Sequence, residues 1–162
     1  MDEKSFNKLI KNNLYQVFIF TSPLPFPLNF SVHSWVVTSN KGKVKRWEIL
    51  HHKNLRGQKT DYLYLNLLKP SQRMNSIFRK NFCIKEEWNS KIVGYIEGKE
   101  GSTAEKFVKF MEKNALKYKM KHVYRLISGP NCHRFTNWAI GNFPESNLKL
   151  PWKAIDLGVY RN

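Results

Sequence analysis

Apolar residues follow two different periods along this chain, and each period predicts a different kind of element. The run Tyr15-Gln16-Val17-Phe18-Ile19-Phe20 is apolar almost throughout, as expected of a buried strand. Pro23, Pro25 and Pro27 end it, because proline lacks an amide donor and restricts the residue before it. β-Branched and aromatic residues recur from Ser31 to Thr38 as a second strand. Asn40-Lys41-Gly42 supplies turn chemistry, and Lys43 to His51 returns as the hairpin partner. From Lys53 to Gln72 the pattern weakens, leaving a short strand at Tyr62 to Leu65. Lys91 to Glu97, around Ile92-Val93-Gly94-Tyr95-Ile96, makes another.

Helical spacing begins at Ser102-Thr103-Ala104-Glu105, which resembles a capping box: a hydroxyl followed three residues later by a carboxylate. The helix it opens should run to about Lys119, with Ala104, Phe107, Met111, Ala115 and Tyr118 on one side. His122 to Ile127 reads as a strand. Gly129-Pro130-Asn131 then breaks the chain, and a helix from about Cys132 to Asn142 turns Phe135, Trp138 and Ala139 inward. Pro144 stops it. The tail carries Trp152, Ile155, Leu157 and Val159 and is expected to pack back on the domain. With strands early, helices late, and no repeat or linker, the pattern predicts one α+β domain over residues 1–162.

Composition narrows the function classes. At 162 residues and 41% hydrophobic, the chain can build an ordinary core. No apolar stretch approaches the ~20 residues of a membrane span. The N-terminus opens on Asp2 and Glu3 without a long apolar region, so a cytoplasmic location with no signal peptide or transmembrane segment is expected. Charge is the outlier, since 28 Lys and Arg against 12 Asp and Glu leave +16. Such a chain attracts anions. One basic cluster is Lys41, Lys43, Lys45 and Arg46, around the hairpin. A second is Lys106, Lys109, Lys113, Lys117 and Lys121, opposite the apolar stripe of the first long helix. That arrangement also describes an ordinary solvated face. Zinc-finger spacing, the RNP motif and helix-turn-helix patterning are all missing, so charge alone names no function.

Two cysteines, Cys83 and Cys132, can form neither a disulfide scaffold nor a four-ligand zinc site. Cys83, between Phe82 and Ile84, reads as a small buried hydrophobe. Cys132 differs, because it follows a Gly-Pro-Asn turn at the start of a helix. Free amides and the positive end of the helix dipole favour a thiolate there and could hold an oxyanion. A cysteine nucleophile also needs a base. His133 is a poor one, since adjacent helical residues point ~100° apart. His33, in a strand, is the better candidate, and Asn131 more plausibly fixes the turn than performs chemistry.

The third group depends on the hairpin register. With Asn40-Lys41 as a two-residue loop, Glu48 lies opposite His33 and shares its face. With a three-residue loop Asn40-Lys41-Gly42, Glu48 turns to the other face and His51 lies diagonal to His33. Register alone leaves Glu48 and His51 open; the preference for Glu48, with His51 as its substitute, comes from the resemblance described next. His51 and His52 point to opposite faces and make no convincing metal pair. Trp35, Trp47 and Trp138 are expected in the core.

These residues resemble a known arrangement. Ser31-Val32-His33-Ser34-Trp35, Trp47-Glu48-Ile49-Leu50 and Asn131-Cys132-His133-Arg134-Phe135 look like the circularly permuted papain-like fold, where His-bearing strands precede a Cys-bearing helix. That group includes permuted NlpC-type hydrolases, lecithin:retinol acyltransferase-like enzymes and PPPDE-type peptidases; the last segment looks like its Asn-Cys-x-x-Phe signature. The chain also resembles an uncharacterised bacterial family with a GPNSNTF-like stretch and a later Leu-Pro-x-x-Ala-Ile segment, here Leu150-Pro151-Trp152-Lys153-Ala154-Ile155. In that family serine often occupies the position of Cys132.

The resemblance, over about residues 30–158, implies an antiparallel sheet packed against the Cys-bearing helix. It implies Cys132 as nucleophile, His33 as general base and acid, Glu48 as the group orienting the imidazole, and no metal or organic cofactor. The expected activity is that of a cysteine hydrolase or acyltransferase of the amidase, peptidase or thioesterase class, acting on an amide or ester through an acyl-thioester. The alternative is an inactive binding module of the same fold that recognises an anionic partner through Lys41, Lys43, Lys45, Lys109, Lys113 and Lys117.

Overall fold

The apolar run near the N-terminus becomes the inner strand of a sheet covered on both faces. The computed structural model describes residues 1–24, 30–50, 62–72, 90–125 and 129–154. Its strands are β1 (Tyr15–Pro23), β2 (Val32–Asn40), β3 (Lys43–Ile49), β4 (Leu63–Leu65) and β5 (Lys91–Gly98), ordered β4-β3-β2-β1-β5. Every neighbouring pair is antiparallel. All of β1 except Pro23 is buried, which accounts for its unbroken apolar pattern.

One face carries α2 (Thr103–Asn114) and α3 (Cys132–Gly141). Phe107, Met111, Phe135 and Ala139 pack there with Val17, Ile19, Val36, Trp47 and Ile49. The other face holds Phe18, Phe20, Trp35 and Val37. It is covered by α1 (Glu3–Asn7), whose Phe6 ring lies 5.1 Å from Phe18 and 5.5 Å from Phe20. The class is therefore α+β, with five antiparallel strands and three α-helices among the described residues. No helix among them is long and apolar enough to cross a membrane.

The structure departs from the sequence expectations at five places. The residues before β1, for which no element is predicted above, contain α1, whose single buried aromatic is too short a pattern to show periodicity; Asp2 caps it. The first long helix stops at Asn114 instead of Lys119 and tightens into a 3₁₀ turn at Ala115–Lys117. Residues 122–125 form no strand, although Lys121 O accepts from Tyr62 N and Arg125 N donates to Pro130 O. Trp152, expected to pack inward, is 81% exposed beside Lys153; residues 155–162 of the same tail lie outside the described residues. His51, His52 and Cys83 also lie outside them.

The fifth departure concerns the hairpin. Its loop is Lys41-Gly42, both at positive φ (48° and 90°), the mirror-image turn whose twist matches the strands. Asn40 pairs with Lys43 as the last rung. Relative to an Asn40-Lys41 loop the register moves by two residues, and a shift of two leaves every side chain on its face. Continuing the ladder from Val36↔Trp47, Trp35 stands opposite Glu48. His33 and Glu48 are consequently diagonal neighbours on one face.

Candidate active site

Strand alternation gathers the first half of the site. His33 and Trp35 project from one face of β2, and Arg46 and Glu48 from the same face of β3. Glu48 Oε2 accepts from His33 Nε2–H at 3.3 Å and from Arg46 Nη2 at 2.7 Å. Trp35 packs beside both cations: its ring stacks 5.6 Å from the His33 ring, and Arg46 Cζ lies 4.2 Å from its centroid. Glu48 and Arg46 are fully buried, and His33 is 2% exposed.

The start of α3 supplies the second half. Asn131 caps the helix, its Oδ1 accepting from His133 N at 3.0 Å and Arg134 N at 3.2 Å. The Cys132 amide is left with no acceptor among the described residues. Thr136 Oγ1 donates to Cys132 O at 3.0 Å, so Ser34 Oγ is the donor in its 3.1 Å bond to Thr136 Oγ1. That chain ties the helix to β2. His133 Nε2–H donates to Val32 O, a second tie at the beginning of the strand.

Helix and strands meet at this end of β2. Cys132 is a free thiol, 5% exposed, and lies close enough to His33 for the two to shift each other's ionisation. Burial pushes the Cys132 thiol up, but His33 and His133 outweigh it and hold the pKa well below the ordinary thiol range. Burial disfavours the His33 cation, yet Cys132 and Glu48 raise its pKa to about 9. Glu48 would be raised by burial; His33 and Arg46 keep it below the ordinary carboxylate value. Burial and the Cys132 charge raise the Tyr124 phenol as well. The buried groups form a row of alternating sign: Arg46 cation, Glu48 anion, His33 cation, Cys132 anion. With His33 Nε2 committed to Glu48, Nδ1 is the nitrogen left for the thiol.

All three residues singled out from the sequence, Cys132, His33 and Glu48, are therefore brought into one network. Sequence reasoning missed Arg46, which it grouped with Lys41, Lys43 and Lys45 around the hairpin. It lies two residues before Glu48 on a strand, hence on the same buried face, and that spacing was the available signal. His133, set aside as a base, touches the site through Cys132 and Val32 O. Trp35 belongs to this network as well as to the core; Trp47 lies in the helix-side core and Trp138 packs partly buried against it. Among the described residues no group of three or more His, Cys, Asp or Glu is placed to hold a metal ion.

A family model described as a protein of unknown function, DUF3750, matches residues 14–158, a span that includes β1 through β5 and the whole His33–Glu48–Cys132 network. The chain belongs to this family. No curated protein and no solved structure matches it. The buried groups with shifted ionisation at the junction of β2, β3 and α3 all lie within the DUF3750 match.

Proposed function

We propose that this DUF3750 chain is a cysteine-dependent hydrolase or acyltransferase built on a circularly permuted papain-like scaffold, with an amide- or ester-bearing substrate. One observation carries the reading: a helix-start cysteine lies beside a buried histidine whose Nε2 is bonded to a buried glutamate. The Cys132 thiolate attacks the substrate carbonyl carbon and forms a C–S bond. The carbonyl oxygen becomes an oxyanion within reach of the Cys132 amide and the helix N-terminus. His33 Nδ1–H protonates the departing amine or alkoxide as its bond to carbon breaks, leaving an acyl-thioester and neutral imidazole. Water or another acceptor then gives its proton to His33 and attacks the thioester, and the thiolate leaves. Glu48 holds the imidazole orientation and stabilises its cation throughout.

The binding-module reading gains less. Of the lysines assigned to it, Lys41, Lys45 and Lys109 hold Glu100, Glu112 and Glu105 at 2.7, 2.7 and 2.8 Å. Their charge is partly neutralised at home.

Alkylation rate against pH, read separately at Cys132 and Cys83 by mass spectrometry, tests the proposal. Cys132 should react well below the ordinary thiol pKa of ~8.5 and lose that advantage in His33→Ala. A Cys132 profile with an ordinary thiol midpoint, unchanged by His33→Ala, would remove the basis of the reading.

A further inference from the structure

Arg46 has no part in the bond chemistry just described, yet it is the most heavily engaged side chain around it. It is fully buried. Nη1 donates to Lys69 O at 2.8 Å and Gln72 O at 2.7 Å, and approaches Pro70 O at 3.5 Å. Nη2 donates to Glu48 Oε2 at 2.7 Å, the oxygen that also accepts from His33. Trp35, under the guanidinium, donates its Nε1–H to Pro70 O at 3.0 Å. The turn at residues 69–72 thus aims its carbonyls at one guanidinium, and that guanidinium faces the site. Only a planar fork can reach turn and carboxylate together in this way; an ammonium has no such geometry.

We propose that Arg46 is a positioning residue of the site, bridging the 69–72 turn to the Glu48 carboxylate so that Glu48 is fixed against His33. This rests on the hydrolase reading and extends its Cys–His–Glu row by one member. A carboxylate enclosed without a cation tends to take up a proton. The groups facing Glu48 are His33 from β2, Arg46 on its own strand, and Tyr64, its register partner on β4; Cys132 and His133 act from α3 by way of His33. Without Arg46, His33 is the one neighbouring cation in this set, and it must also serve Cys132. An arginine that merely tethered the turn would affect stability while leaving the ionisation of Glu48 and the reactivity of Cys132 where they were.

The experiment is a carboxyl titration of the ¹³C-labelled full chain by NMR, comparing wild type, Arg46→Met and Arg46→Lys. Arg46→Gln replaces Arg46→Met where the latter does not fold. Glu48 should stay ionised through the mildly acidic range in wild type. In Arg46→Met its midpoint should rise by about one unit or more, a tenfold change in proton affinity, and Arg46→Lys, which keeps the charge without the fork, should recover only part of it. Cys132 alkylation at pH 6 should fall about tenfold in the same variant, judged on folded protein. A folded Arg46→Met or Arg46→Gln chain in which Glu48 titrates as in wild type overturns the proposal. Should wild-type Cys132 prove an ordinary thiol, the hydrolase reading fails by itself, and the Glu48 titration still decides what Arg46 does.

Discussion

Replacing Glu48 by Gln tests the buried charge row most directly, because it removes one charge and almost no volume. The carboxylate is fully buried and serves Arg46 and His33 with a single oxygen. Glutamine keeps a carbonyl acceptor but leaves two cations facing no anion on that side. Arg46 cannot escape by losing its proton, since an arginine stays charged in proteins. Breaking a buried pair from one side costs about 3–5 kcal/mol. The three carbonyls and the Trp35 ring that also hold Arg46 place this site toward the lower end. For a domain of this size that lowers Tm by roughly 6–15 °C at about 2–4 °C per kcal/mol. Arg46→Met behaves differently, because the stranded carboxylate can take a proton. At about 1.36 kcal/mol per pH unit, the gap from an ordinary glutamate near 4.3 caps the carboxylate's share of that variant's cost at about 3.7 kcal/mol at pH 7, beside a pH-independent loss from the turn carbonyls. Near pH 5 the cap shrinks to about 1 kcal/mol. Urea unfolding at pH 5 and pH 7 separates the two: the Glu48→Gln cost should stay level, the Arg46→Met cost should fall toward acid, and the double variant should recover part of the loss. A Glu48→Gln chain within about 1 kcal/mol of wild type at pH 7, or strict additivity in the double variant, would refute the argument.

Two further outcomes follow from the same structure. Phe6→Ala should cost about 3–5 kcal/mol despite lying in a five-residue helix, because the ring is fully buried between Phe18 and Phe20; a loss below about 1 kcal/mol in urea unfolding would show that the α1 face is not part of the cooperative core. Stability should also begin to fall only as pH approaches about 9. The His33 cation is favoured in the folded chain, with a pKa of about 9, over the unfolded chain near 6.5. Taken alone its contribution is complete below the unfolded value and lost as pH passes the folded one. Cys132, held below the ordinary thiol range, has given up the proton that His33 keeps, so between about 6.5 and the ordinary thiol value of ~8.5 the folded and unfolded pair bind equal numbers of protons and add no slope. Urea midpoints in wild type should therefore stay level across that window relative to His33→Ala and drop above it; a wild-type decline that begins at about 6.5 would contradict the Cys132 anion.

Much of the site was legible because parity is robust. His33 and Glu48 share a face under any hairpin loop of two residues, so choosing the wrong pair of loop residues still placed them together. Cys132 announced itself through Gly-Pro-Asn, which can hardly continue a helix and readily begins one. The loop itself was misread because Lys41 adopts a positive φ, a conformation the sequence would sooner assign to Asn40. Arg46 was hidden by counting charges without asking which face each occupies. Lys43 and Lys45 precede it in sequence, but the residue alternates onto the Trp35 face and is fully buried. Trp152 and residues 122–125 illustrate the opposite error, where apolar or β-branched composition suggested order or burial that tertiary contacts did not provide.

A fold seeking only stability has little reason to keep this row. The same positions filled with apolar side chains of similar volume would commonly leave a protein equally stable or more so, since burying ions forfeits hydration that pairing only partly returns. Here Arg46, Glu48, His33 and Cys132 alternate in sign, each between 0% and 5% exposed, in a chain whose other named ion pairs are between surface lysines and glutamates. The row also has a direction. It starts at the partly exposed 69–72 turn and ends at the one member that is a nucleophile, on a helix start whose first amide has no acceptor among the described residues. Structural ion networks need no such terminus and gain nothing from a thiol held as its anion. An acyl-transfer site needs both, and needs the imidazole fixed from behind so that its free nitrogen faces the sulfur. This is why the charge row weighs toward chemistry at Cys132 more than the chain's overall positive charge weighs toward binding.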